Sequence, residues 1–239
     1  MKTILIIILI VFTGFQNIKA QTNLVIGYFD PYQDFTINGV KAVYDTVFIL
    51  NSGKLTIMNS QITVNKAVLV NGDGKLSIKK SDFTLNGFLI AYGNSQITMQ
   101  DTLKLNCSLI CGASANISIH NATVYNNISY VGQYELIGID SGSIELNNSK
   151  FYLQNGKYGG GFRHNSSFSQ NNIEYHSPIG LGMTLGFGET STLNAVHVTG
   201  GMELIMADTT VFNISESDGL ILWFNFKDGD TAIIDLPPT

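Results

Sequence analysis

KLTIMNSQITVNKAVLVNGDG, residues 54–74, is followed without a gap by KLSIKKSDFTLNGFLIAYGNS, residues 75–95, and then by QITMQDTLKLNCSLICGASA, residues 96–115. Each unit reads as three short strands separated by turns. Leu55/Ile57, Leu76/Ile78 and Ile97/Met99 mark the first strand, and Ile62/Val64, Phe83/Leu85 and Leu103/Leu105 the second. Val68/Val70, Phe88/Ile90 and Leu109 near Ile110 mark the third. Period-two alternation is the signature of a half-buried strand, and Asn, Gly, Asp and Ser fill the turns between. A unit of this size cannot bury its own apolar face, so it must stack on copies of itself. Three strands per repeat suit a parallel β-helix. The consensus of leucine-rich repeats and the 3.6-residue period of helical repeats are both absent.

Working outward, TVFILNSG at 46–53 supplies an earlier third strand and turn, and Asp34–Gly39 nearly copies Asp82–Gly87. Later coils begin near Asn116, Ile144, Phe168, Thr192 and Val211, with the extra length around Val131–Gly138 and Lys157–Gly161. The expected organisation is a leader at 1–20, a cap at 21–33 and one β-helix domain of eight to nine coils over 34–239. Strand-like Leu220–Phe224 and Ala232–Ile234 lie close to Thr239, so they either fold over as a cap or the chain is a piece of a longer protein.

The leader is a short basic start, Met1-Lys2-Thr3, then an apolar run from Ile4 to Phe12, with Ala20 before a plausible cut. Nine apolar residues are too few to span a bilayer, so this reads as a secretory signal, and the protein is expected to be secreted or at the cell surface with no membrane span. Its removal takes Lys2 and Lys19 and moves the net charge from −5 to −7. Residues 21–157 are balanced, and the acid excess lies in 158–239. A chain only 13% charged and net acidic has nothing to release counterions from a phosphate backbone, which excludes a cationic nucleic-acid binder. Twelve Lys to one Arg, with an Ala–Gln cut, is similar to secreted proteins of the Bacteroidota. Cys107 and Cys111 lie ~13 Å apart on an extended strand, about twice the reach of a disulfide. They read as two small buried side chains, a strained bridge or an intermolecular pair being the alternatives.

Two columns of side chains follow from the repeat. Asn38, Asn65, Asn86, Asn106, Asn126, then Gln154 and His176, fall just after the second strand. With this ladder the chain resembles the right-handed parallel β-helix proteins of the pectate-lyase-like superfamily over roughly residues 34–225, in architecture and not in any catalytic motif. The second column is the outward middle position of the second strand: Thr63, Thr84, Lys104, Tyr125, Tyr152, Glu174, His197 and Phe212. Within it, Lys104, Tyr125, Tyr152, Glu174 and His197 form a candidate glycan-binding strip, tyrosines offering an apolar body and a hydroxyl to a sugar. β-propensity alone also places Tyr on an outer strand face.

The resemblance implies a second use of the late coils, since lyases of that superfamily abstract a proton beside a uronate carboxyl with a basic residue, often with calcium. Arg163, Glu174, His176 and His197 are the residues such an enzyme would use. The glycines of Lys157–His164 do not make a phosphate loop. His120, His164, His176 and His197 have no zinc spacing, so no metal site is expected. Calcium is the one cofactor admitted, through Asp208, Glu216, Asp218, Asp228 and Asp230. The leading expectation is a secreted non-enzymatic module, structural, adhesin-like or glycan-binding, whose partner is an extracellular glycan or surface protein. A polysaccharide lyase or glycosidase is the alternative.

Overall fold

The computed structural model describes residues 21–126, 132–153, 156–177, 180–217, 220–224 and 232–235. The chain winds as a right-handed parallel β-helix of about eight turns. Lys54 stacks on Lys75, Lys75 on Gln96 and Gln96 on Asn116, so the repeat seen in sequence is the coil seen in space. Three sheets run along the axis. The first holds strands such as Asp34–Asn38, Lys54–Met58 and Lys75–Lys79. The second and third are the two halves of long strands such as Gln61–Val70 and Asp82–Ala91. Gln21–Ile26, within the segment expected as a cap, is itself a strand paired in parallel with the end of Lys41–Ile49. The leader, Gln154, Asp218, Asp228 and Asp230 lie outside the described residues.

Each corner has its own local chemistry. At the first corner one residue per coil takes the left-handed conformation: Asn59, Lys80, Asp101, Asn121, Asn148, Asn172, His197 and Glu216, with φ between 47° and 75°. Asn tolerates this region best, so it recurs there. In several coils the next residue is a serine that ties neighbours together. Ser60 Oγ accepts from Val40 N (3.1 Å) and donates to Met58 O (2.7 Å), while Ser60 N donates to Ser81 Oγ. Ser149 and Ser217 repeat the device farther along. The third corner is a four-residue turn closed by bonds such as Gly53 N to Leu50 O and Ser166 N to Arg163 O. Its second residue is left-handed, from Asn51 and Gly72 to His164 and Glu189.

The interior is a stack of Ile, Leu, Val, Met and Phe that is almost wholly excluded from water. Phe162 stacks with its ring centroid 5.2 Å from those of both Phe168 and Phe187, nearly parallel to each. Cys107 and Cys111 are free and buried in this core. The Cys111 thiol donates towards Ala115 O and Ser143 O, and burial pushes it up to about 12.

Four details of the sequence reading change. Phe212 is not on the outer strip; it is buried under Leu193 in the first sheet. Asn38 ends a first-sheet strand and accepts from Asn59, whereas Asn106 donates to Asn86 at the second corner. Leu89 and Ala91 point inward, leaving Phe88 and Ile90 outward, since a slip of one residue exchanges the faces of a strand. Gly132–Gly138 and Gly156–Phe162, read as extra length, are strands of the third sheet. Glycine there serves close approach: a Cβ on Gly161 would sit 2.5 Å from Gly186 O.

Candidate functional site

The outer face of the second sheet carries the most varied chemistry. Alternation turns Val124, Phe151 and Tyr175 inward, so Tyr125, Tyr152 and His176 turn outward. Their registers coincide: Thr84 pairs with Lys104, Lys104 with Tyr125, Tyr125 with Tyr152 and Tyr152 with His176. Tyr125 and Tyr152 stack at 5.3 Å with 16° between ring planes, and Tyr152 and His176 at 4.7 Å and 8°. The rings cover one another's faces, so the ladder presents edges, hydroxyls and an imidazole rather than a broad aromatic platform.

Glu174 is outward too, but one column across, where Thr102 pairs with Thr123, Thr123 with Lys150 and Lys150 with Glu174. Glu174 Oε2 lies 3.0 Å from Lys150 Nζ and 3.2 Å from His176 Nε2. The Lys150 hydrogen bond first, then that of His176, holds the Glu174 carboxyl below the usual carboxylate range. The same contact raises Lys150. Toward the early coils the column passes through Gln61 and Asp82 into an open groove of about 550 Å³, which Ser81, Asp101 and Thr102 also line.

The structure thus brings Lys104, Tyr125, Tyr152, Glu174 and His176 onto one face, and sets His197 apart. His197 is the left-handed residue of the first corner, and its Nδ1 is 2.9 Å from Glu216 Oε2. The sequence shows which residues face outward, but choosing between two outward columns requires the register between strands. Arg163 opens the third-corner turn, on a different edge from Glu174 and His176, so the four residues of the lyase alternative do not converge on one surface. His164, missed as a paired residue, lies 2.6 Å from Glu189 on that third corner. Among the described residues no group of three or more His, Cys, Asp and Glu is arranged to hold a metal ion. No family model matches the chain, and neither a search of curated proteins nor one of solved structures finds a match.

Proposed function

We propose that this chain is an exported, non-enzymatic β-helix module that binds an extracellular glycan along the outer face of its second sheet. The supporting observation is the ladder Lys104–Tyr125–Tyr152–His176, flanked by Lys150–Glu174. Its hydroxyl, ammonium and imidazole groups repeat at the strand spacing of ~4.8 Å, close to the rise of one sugar in an extended chain. A glycan lying parallel to the axis meets one polar group per sugar, and the groove at Gln61 and Asp82 extends the track. Lys150 and Glu174 offset one another, so Lys104 leaves the strip with one net positive charge in an acidic protein, suited to a glycan with scattered carboxylates.

The test is a glycan array with the purified chain, followed by calorimetry on the hits. Tyr152→Ala, which breaks the ladder at its middle, is expected to weaken binding at least ~10-fold, with an unchanged circular dichroism spectrum. A blank array, or hits indifferent to Tyr152 and Lys104, would remove the reading. Incubating the same glycans and looking for unsaturated uronates or new reducing ends tests the enzymatic alternative; product that disappears in Glu174→Gln would favour it.

A further inference from the structure

The third sheet breaks the pattern of the other two. Outward positions of the first sheet are Thr56, Ser77, Thr98 and Ser118, and those of the second include Thr63, Thr84 and Lys104. On the third sheet the outward column reads Val25, Phe48, Leu69, Ile90, Ile110, Ile137 over six consecutive coils, each paired in register with the next. Phe88 and Tyr92, both 47% exposed, stand beside it. Those strands are therefore apolar on both faces. Parallel sheets of that composition are normally covered on both sides, and nothing among the described residues covers this one.

We propose that this face is a self-association surface on which two copies of the chain pack sheet to sheet with antiparallel helix axes. Three observations select a second copy. First, the area fits. Eight coils at ~4.8 Å and a strand ~16 Å wide give a face of roughly 610 Å² in projection, more once corrugated, against ~800 Å² per partner in a standard interface. Second, the column changes size along the axis: after Ile137 come Gly161 and Gly186, then Ile205. A two-fold axis along the strand direction, between Ile110 and Ile137, sets Ile90 over Gly161, Leu69 over Gly186 and Phe48 over Ile205. The bulky half of each copy then fills the bare half of the other, and Phe88 sits over Gly159. Third, no charged side chain occupies the outward positions of this face from Thr46 to Ile110, so the early coils of each copy bring no charge to the late coils of the other. The acids lie on the late coils: Glu203, which accepts from Thr184 Oγ1, falls opposite Thr46, and Glu135, beside the two-fold axis, falls opposite Ser108 of the other copy, whose hydroxyl accepts from its own chain's Glu135 N and keeps its proton to donate.

Sedimentation of the purified chain should show a dimer in the micromolar range. Ile110→Lys is expected to weaken it about 100-fold, with circular dichroism unchanged. Phe88→Ser, at a more exposed position, provides a second disruption should Ile110→Lys misfold. For orientation, a short bismaleimide should join Phe48→Cys chains to Ile205→Cys chains in a mixture, and should not join Phe48→Cys chains to each other. A chain that stays monomeric at ~100 µM, a dimer unaffected by both disruptions, or Phe48→Cys chains crosslinking to themselves would overturn the proposal.

Discussion

At the scale of single residues, position within the coil decides chemistry more than residue type does. Glu174 and Glu216 both sit near a histidine, yet Glu174 also faces Lys150 on a sheet, whereas Glu216 pairs with His197 across a corner. The difference predicts a titration. Glu174, lowered mainly by Lys150 and then by His176, stays ionised as pH falls through the ordinary carboxylate range. Any stabilisation it gives is present above its unfolded value and is lost only as pH drops through the lowered folded one. Side-chain carboxyl NMR should find its midpoint below that of an unpaired Glu, and Lys150→Met should move it upward. A midpoint at the ordinary value in the native protein would contradict the pairing.

At the scale of the element, the first corner is held by side chains, and the third corner and the sheets by backbone. The serine at the first corner replaces a backbone partner: Ser60 Oγ takes Val40 N and gives to Met58 O, so one hydroxyl links successive coils. Ser60→Ala strands Val40 N, while Met58 O keeps the bond from Gly39 N, at a site where Ser60 is only 7% exposed. The expected loss is about 1–3 kcal/mol in urea denaturation, with the strand content of the circular dichroism spectrum retained. A loss near zero would mean that water takes over the bond to Val40 N. The alternation and the turn residues of these elements were legible beforehand. The phase of the third strand was not, because Val68–Val70 and Phe88–Ala91 are apolar at nearly every position and alternation gives no sign of which side is inward.

At the scale of the whole molecule, each coil contacts only its neighbours, so stability accumulates along the axis and the ends have one neighbour fewer. Among the described residues Gln21–Ile26 pairs on one side only, with Lys41–Ile49, whereas Gln96–Cys111 pairs with strands on both sides. Hydrogen exchange followed by mass spectrometry should find amides of Gln96–Cys111 and Asn116–Asn126 the slowest, and those of Gln21–Ile26 among the fastest. Uniform protection from end to end would mean the rod unfolds as one cooperative unit.

The amino-acid sequence by itself determined the solenoid, its coil length, the inward aliphatics of the first two sheets and the polar, turn-rich corners. All of these arise from local alternation and from residues suited to left-handed backbone, and both are read within a single repeat. Only the tertiary structure decided which outward residues share a column, because a column is made by the register between coils some twenty residues apart. It placed His176 rather than Glu174 or His197 on the tyrosine ladder, and recruited the glycine-rich Gly156–Phe162 as a strand through pairing with Gly132–Gly138 and Leu181–Phe187. It also turned the low charge of the chain into a spatial fact. On the third sheet the coils from Val25 to Ile137 carry an apolar column outside as well as inside, and that follows from how strands pack and not from composition.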